Sequence, residues 1–362
     1  MVNEHSFSMQ FDSVPVFVLA GRARGRCEAL NRLPLLPALA DELEITLAEQ
    51  SIHATAAIAG NPMRLDEIHE LLAPDNTHTE TPAGPTVARA RREITNLGLA
   101  YAPLPKRRTE SGVFGISEGF LRKVHTVVVQ GTVASGTGEY PVQVREHLLD
   151  LIAHCNAPEC NELEPAVRAA LLHYHLYRLR PFSEGNGRVA RFFESSVLAV
   201  GGYRFASMML PLYYRRRIDD YLRFFPIPDE PRAILTGDDS ATAFLVFMLE
   251  GLLECLDTLH ERLAAPLRRL ALSEHFRRLL ESREINRRSH DLLLLLLDRE
   301  TVPESGVPLP FQIRDLFLKN PYKLLYDKVS EHTARRDLNR MLDLGLLLKD
   351  GTSYLFQDRH LG

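Results

Sequence analysis

From Arg180 to Arg191 the chain reads Arg-Pro-Phe-Ser-Glu-Gly-Asn-Gly-Arg-Val-Ala-Arg. Gly185 and Gly187 flank Asn186, so the backbone can turn sharply and approach a ligand without a Cβ in the way. The amides of such a turn, and of the helix it starts, converge on one spot, and a helix N-terminus suits phosphate. Arg188 and Arg191, three apart, lie near one side of that helix and add two permanently charged donors. Glu184 places a hard oxygen ligand where a phosphate-bound Mg²⁺ would sit. These residues support an anion site. They are also compatible with a plain joint between two helices that uses glycine for geometry.

Two helices must position this loop. Before it, Val167, Ala170, Leu171, Tyr174 and Tyr177 recur at core-facing helical spacing, with Asn161 and Glu164 at capping-box spacing and Pro165 early in the helix. His173 and His175 on this helix read as structural. After the loop, Val189 to Val200 reads as a buried helix stopped by Gly201 and Gly202. Further upstream, Val14 to Ala20 reads as an extended segment. Leu36 to Ala73 is helical in pattern and interrupted by the stop Gly60-Asn61-Pro62. Residues 73–87 are a polar, Pro-rich loop. The arginine-rich helical run after them reads as a solvated face. Phe120 to Val129 is a helix or half-buried segment, and Gly131 to Gly138 a flexible loop. From Asp238 to about Leu280 runs a long helix broken or kinked at Pro266, whose apolar stripe fits a core or a homodimer face equally.

The 362 residues are enough for two or three domains, and 45% hydrophobic with 25% charged residues is an ordinary globular composition. A net charge of -4 excludes nonspecific polyanion binding by the whole protein, so any nucleic-acid role must rest on a local basic face. Cys27, Cys155, Cys160 and Cys255 are too sparse for a disulfide framework, and Cys155 and Cys160 do not match a zinc-site spacing. With no apolar run of membrane-spanning length and no basic-then-apolar N-terminus, a cytoplasmic protein without membrane contact is expected.

The stretch from 180 to 191 resembles the Fic family signature H-P-F-x-[DE]-G-N-G-R-x-x-R, matching everywhere except the first position, where Arg180 replaces the family's histidine. The resemblance implies a protein adenylyltransferase. In such enzymes that histidine takes the proton from a target Ser, Thr or Tyr hydroxyl, which attacks the α-phosphorus of ATP. Carried over, Glu184 would hold Mg²⁺, Gly185, Asn186 and Gly187 the α-phosphate, and Arg188 and Arg191 the outer phosphates. Arg180 cannot serve as base because a guanidinium stays protonated, and losing a positioned base costs roughly 10²- to 10⁴-fold in rate. Many family members carry an inhibitory motif [ST]-x-x-x-E-[GN]. Here Thr55 and Gly60 match and Ala59 stands at the glutamate position, so either the lock is absent or the stretch is a plain helix end. Glu93 and Asn96 match the family's helix beside the core. The hairpin that would dock a target protein reads as truncated after Gly131.

The C-terminal segment resembles a winged helix. Ser330 is a good N-cap, Ala334, Leu338, Met341 and Leu342 make an apolar side, and a hairpin turns at Asp350-Gly351. Arg335, Arg336, Asn339 and Arg340 stay on the open side, where they would read DNA bases or meet a protein partner. The expected fold is mainly α: a helical segment at 1–110, a Fic-type bundle at 111–283 and a winged helix at 284–362. The expected function is nucleotide binding with adenylyl transfer impaired or lost and a regulatory role through the winged helix. The alternative is an active adenylyltransferase.

Overall fold

A computed structural model describes residues 11–73, 84–102, 114–132, 142–225, 239–300 and 310–357. The chain forms two compact units, Met1–Leu259 and His260–Gly362. No helix among the described residues is long and apolar enough to cross a membrane.

Helix α1 (Ser13–Asn31) starts where the Asp12 carboxylate accepts the Val14 amide at 3.1 Å. It contains the run Val14 to Ala20, which is therefore helical and not extended. The β-branched residues suggest a strand, but burial follows helical spacing: Val16, Ala20, Ala23, Cys27 and Leu30 face the core while Val14 and Val18 face out. Arg24 fastens this helix to the rest of the unit, 2.8 Å from Glu164 and 3.1 Å from the Gly201 carbonyl.

Helix α2 (Pro37–Ile58) closes with a left-handed Gly60. The Gly60 amide donates to Ala57 at 2.9 Å and the Asn61 amide to Ala56 at 3.0 Å, which satisfies the last carbonyls. The helical pattern resumes separately as α3 (Leu65–Leu72), and α4 (Pro85–Tyr101) packs against both. Helix α5 (Glu118–Val129) is capped by Ser117, which accepts the Phe120 amide at 3.1 Å. Helix α6 (Val142–Asn156) and the one-turn α7 (Pro158–Asn161) lead to α8 (Pro165–Leu179). The expected capping box at Asn161 and Glu164 does not form. Glu164 is itself the N-cap, accepting the Ala166 amide at 2.6 Å, because Asn161 already ends α7 and donates to the Asn156 carbonyl at 3.1 Å.

Helices α8 and α9 (Asn186–Val200) are the centre of this unit. Both are buried nearly all round, as expected of helices surrounded by others. Helix α5 lies against α9 and α6 against α8. Helices α10 (Leu210–Arg216), α11 (Ile218–Arg223) and the first half of α12 (Asp239–Glu281) complete the unit, with Phe244, Leu245, Met248, Leu252 and Leu256 of α12 buried. The helix runs through Pro266 without ending there.

In the second unit, α13 (Arg287–Glu300), β1 (Phe311–Gln312), α14 (Asp315–Leu318), α15 (Tyr322–Tyr326) and α16 (Glu331–Asp343) are followed by β2 (Leu347–Asp350) and β3 (Ser353–Phe356). The strands form an antiparallel sheet in the order β1-β3-β2, and β2 pairs with β3 across a turn at Gly351, whose φ is 58°. Leu292, Leu296, Phe311, Leu338, Met341 and Phe356 belong to its core. Ser330 caps α16 by accepting the Thr333 amide at 3.3 Å. Buried Asp337 ties α16 to α13, taking bonds from Asn286 and Arg288, each at 2.8 Å.

Candidate functional site

The loop joining α8 to α9 gathers the charged groups. Arg180 caps α8 in a left-handed conformation, φ 47° and ψ 59°, with its amide bonded to the Leu176 carbonyl at 3.3 Å. That region is disfavoured for any residue with a Cβ, so surrounding contacts must hold it. One is the bond from Arg180 Nη2 to the Phe225 carbonyl at 3.0 Å. Gly185, at φ 80°, caps α9. A Cβ on Gly187 would lie 2.9 Å from Tyr177 Cζ and 3.2 Å from Arg191 Nη1, so a larger residue there would force those side chains to shift. The first intrahelical bond of α9 runs from the Val189 amide to Gly185, leaving the amides of Asn186, Gly187 and Arg188 at its head.

A cavity of about 350 Å³ opens over this loop, lined by Glu184 to Arg188, Arg180, Arg191, Tyr177, Ala59, Arg89 and Glu93 among others. The structure therefore brings the predicted loop residues into one place, together with the end of α2. Ala59 contributes no carboxylate there. Thr55 lies one turn back, and its carbonyl accepts from Arg191 Nη2 at 3.1 Å.

Asn186 lines the cavity and also braces the loop. Its side chain accepts the Phe182 amide at 2.9 Å and donates to the Phe182 carbonyl at 2.6 Å, which closes the loop. Arg191 is 1% exposed and Arg188 6%. Arg191 Nη1 donates to the Tyr221 hydroxyl at 3.0 Å. That hydroxyl is 2.9 Å from His173 Nε2, and His173 Nδ1 is 3.0 Å from Glu194 Oε1, which also accepts from Tyr214. This buried row of polar groups orients Arg191 from behind. Arg180 Nε, Arg188 Nη1 and Arg191 Nε are buried without a hydrogen-bond partner. Buried donors left unpaired are costly, and these three belong to residues that line one cavity.

Several residues at the site carry no signal within the motif itself. Arg89, from the run read as a solvated face, lines the cavity and lies 3.6 Å from Glu184 Oε2. His125 on α5 stacks on Phe182 at 3.6 Å and donates from Nε2 to the Glu184 carbonyl at 3.0 Å. Burial, and then the nearby Arg188 charge, push its pKa below the usual imidazole value, so it supports the loop as a neutral ring. Spacing could have flagged only Arg89, four residues before Glu93. His175 is buried, absent from the cavity lining, and held by burial at a pKa of about 3, so it cannot stand in as a base beside Arg180.

Among the described residues no group of three or more His, Cys, Asp or Glu could hold a metal ion. Glu184, 48% exposed at the cavity edge, is a single hard ligand. Such a carboxylate suits Mg²⁺ only when phosphate oxygens complete the shell, so it fits Mg²⁺ carried in with a nucleotide. The four cysteines are buried and none is in a disulfide. Residues 133–141, where the docking hairpin would begin, lie outside the described residues. In the second unit Arg335, Arg336, Asn339 and Arg340 lie together on the exposed side of α16, with Glu331 and Asp343 among them. Arg335 pairs with Glu331 at 2.6 Å, and Arg340 Nε donates to the Glu284 carbonyl at 2.9 Å.

The buried pair α8 and α9, with the loop that joins them, lies in a unit that is helical throughout its described residues. Residues 66–198 match the profile of the Fic/DOC family, and the chain carries a Fic/DOC domain there. It is 31% identical over 119 residues to "Protein adenylyltransferase Fic" of Drosophila mojavensis, covering 32% of this chain and 22% of that protein. It is 30% identical over 109 residues to "Protein adenylyltransferase fic-1" of Caenorhabditis elegans, covering 30% and 20%. The chain thus spans about a fifth of the length of these curated relatives. Its fold is similar to that of Fic-1 (residues 134–508) from C. elegans, with a TM-score of 0.54 at 19% identity over 70% of this chain and 74% of that one.

Proposed function

We propose that the cavity at the α8–α9 loop binds the phosphates of a nucleotide, ATP or ADP, and that the chain acts by binding there, with adenylyl transfer impaired or lost. The observation that carries this reading is the set of three buried, unpartnered guanidinium nitrogens on Arg180, Arg188 and Arg191 around one cavity. The head of α9 adds amides and a favourable dipole for the same anion. When bound with the nucleotide, Mg²⁺ at Glu184 would neutralise phosphate charge. Arg188 and Arg191 would fix the phosphate chain, and Asn186 and His125 would keep the loop in shape. Arg180, at the position of the family's histidine, cannot take a proton from an attacking hydroxyl, because a guanidinium stays protonated.

We read the second unit as a winged helix, which its helices and antiparallel hairpin support, and assign it the regulatory contact. The exposed Arg335, Arg336, Asn339 and Arg340 would meet DNA or a protein partner. A second reading is an active protein adenylyltransferase that moves AMP to a Ser, Thr or Tyr hydroxyl, favoured by the names of the similar proteins. Transfer of α-labelled AMP from ATP with Mg²⁺ separates the two. Little or no labelling by the natural sequence and clear labelling by Arg180→His support the binding protein. Strong labelling by the natural sequence supports the enzyme. Failure to bind ATP or ADP in calorimetry defeats both.

A further inference from the structure

The phosphate cavity already contains an anion supplied by the chain itself. Glu93 comes from α4 and not from the loop, and it is buried. Its Oε2 accepts from Asn61 Nδ2 at 2.9 Å, and Asn61 is in turn fixed to the Ala90 carbonyl at 3.0 Å and to the Met63 amide at 3.1 Å. The carboxylate is therefore clamped from behind. Its other oxygen, Oε1, faces the cavity arginines, 3.5 Å from Arg188 Nη1 and 3.6 Å from Arg89 Nε.

Those two distances exceed the hydrogen-bonding range, and Arg188 Nη1 has no hydrogen-bond partner. Glu93 thus neutralises Arg188 through space while leaving its N–H unsatisfied. A phosphate oxygen could form the short charged bond that Glu93 does not. It would then approach a buried carboxylate of the same sign, and like charges at such separation repel strongly when screening is poor.

We propose that Glu93 is the resident anion of this cavity and sets its affinity for phosphate ligands by competing with them for Arg188. The inference rests on the reading of the cavity as a phosphate site. It involves a different helix and a different arginine from the stretch Thr55–Gly60, which meets Arg191. A ligand with several phosphates tolerates the competitor better, because it also engages Arg180 and Arg191. A ligand with one phosphate has fewer such contacts to set against the repulsion. Glu93 thereby acts as a specificity residue that favours di- and triphosphates.

Calorimetry on the full chain with ADP, AMP and pyrophosphate, in Mg²⁺ and in EDTA, tests this. Glu93→Gln is expected to bind ADP about tenfold more tightly, the scale of one partly buried ion pair, with a larger gain for AMP. Adding Arg188→Gln should remove the gain. Glu93→Asp keeps the charge but withdraws it by one methylene, so a smaller gain is expected. That variant decides the matter if the amide does not fold. Thermal melting provides an independent readout, in which ADP raises the midpoint of Glu93→Gln more than that of the natural chain. Equal or weaker ADP binding by folded Glu93→Gln and Glu93→Asp, beside a natural chain that does bind, overturns the role of Glu93 alone. If no form of the chain binds ADP, AMP, ATP or pyrophosphate, the phosphate site itself is refuted and this inference with it.

Discussion

Tyr221 tests whether the buried polar row behind Arg191 does what its geometry implies. Its hydroxyl is shared between Arg191 Nη1 at 3.0 Å and His173 Nε2 at 2.9 Å, and none of the three side chains is more than 1% exposed. Tyr221→Phe keeps the ring, and with it the stacking on Tyr214 at 4.5 Å and the edge contact with Phe225 at 5.2 Å. What is lost is one oxygen, leaving a charged donor and an imidazole nitrogen without that partner in a buried place. Orphaned buried groups cost about 1–3 kcal/mol each, so a loss of about 2–6 kcal/mol in unfolding free energy is expected for the two. The chain contains no tryptophan, so far-UV circular dichroism in urea is the suitable readout, with the midpoint falling at an unchanged slope. A double-mutant cycle with Arg191→Met should give a coupling of about 1–2 kcal/mol, because each change removes the other's partner. Affinity for ADP should fall by about threefold to tenfold as Arg191 loses its preset orientation. A change in stability below about 0.5 kcal/mol, or strict additivity with Arg191→Met, would show that the hydroxyl is not holding Arg191 and refute the argument.

Three further outcomes are expected. Gly187→Ala forces a Cβ to 2.9 Å from Tyr177 Cζ and toward Arg191 Nη1, so stability should fall by about 1–3 kcal/mol, and nucleotide binding in calorimetry should weaken with it. His175 has its pKa lowered by burial from 6.5 to about 3. A depressed histidine means that the unfolded chain binds more protons, so its contribution is complete above about pH 6.5 and is lost as pH falls. Between pH 6.5 and 4.5 this one group should cost about 2–3 kcal/mol at 1.36 kcal/mol per unit. Chemical denaturation of His175→Leu should show a flatter acid limb than the natural chain. Arg336→Ala with Arg340→Ala should weaken any DNA binding by the full chain in gel shifts and lower its salt dependence. Absence of binding to a diverse DNA pool leaves α16 with a protein partner only.

What could be read from the sequence, and what could not, divides along the range of the interactions involved. Positions 184–191 are legible because their chemistry is local: two glycines, a carboxylate and two arginines within one turn of chain dictate where the amides and charges go. The end of α2 is legible for the same reason, since Gly60 must be left-handed for the last carbonyls to find donors. Val14 to Ala20 misleads because β-branched residues have only a weak local preference, which packing of Val16 and Ala20 overrides. The partners of the cationic side chains are invisible for a stronger reason. Arg191 is held by Thr55 from 136 residues away and by Tyr221 from 30. Glu184 is held through its carbonyl by His125, 59 residues away. None of these pairings leaves a periodic trace. A motif can thus name the donors of an anion site. Whether those donors are free to bind depends on remote residues. In this chain a motif reader would count Arg188 as an available cation, whereas the fold places the carboxylate of Glu93 3.5 Å from it. The surroundings of the loop arginines are therefore set by α4 and α11 as much as by the loop, and substitutions confined to residues 180–191 would test only part of the proposed site.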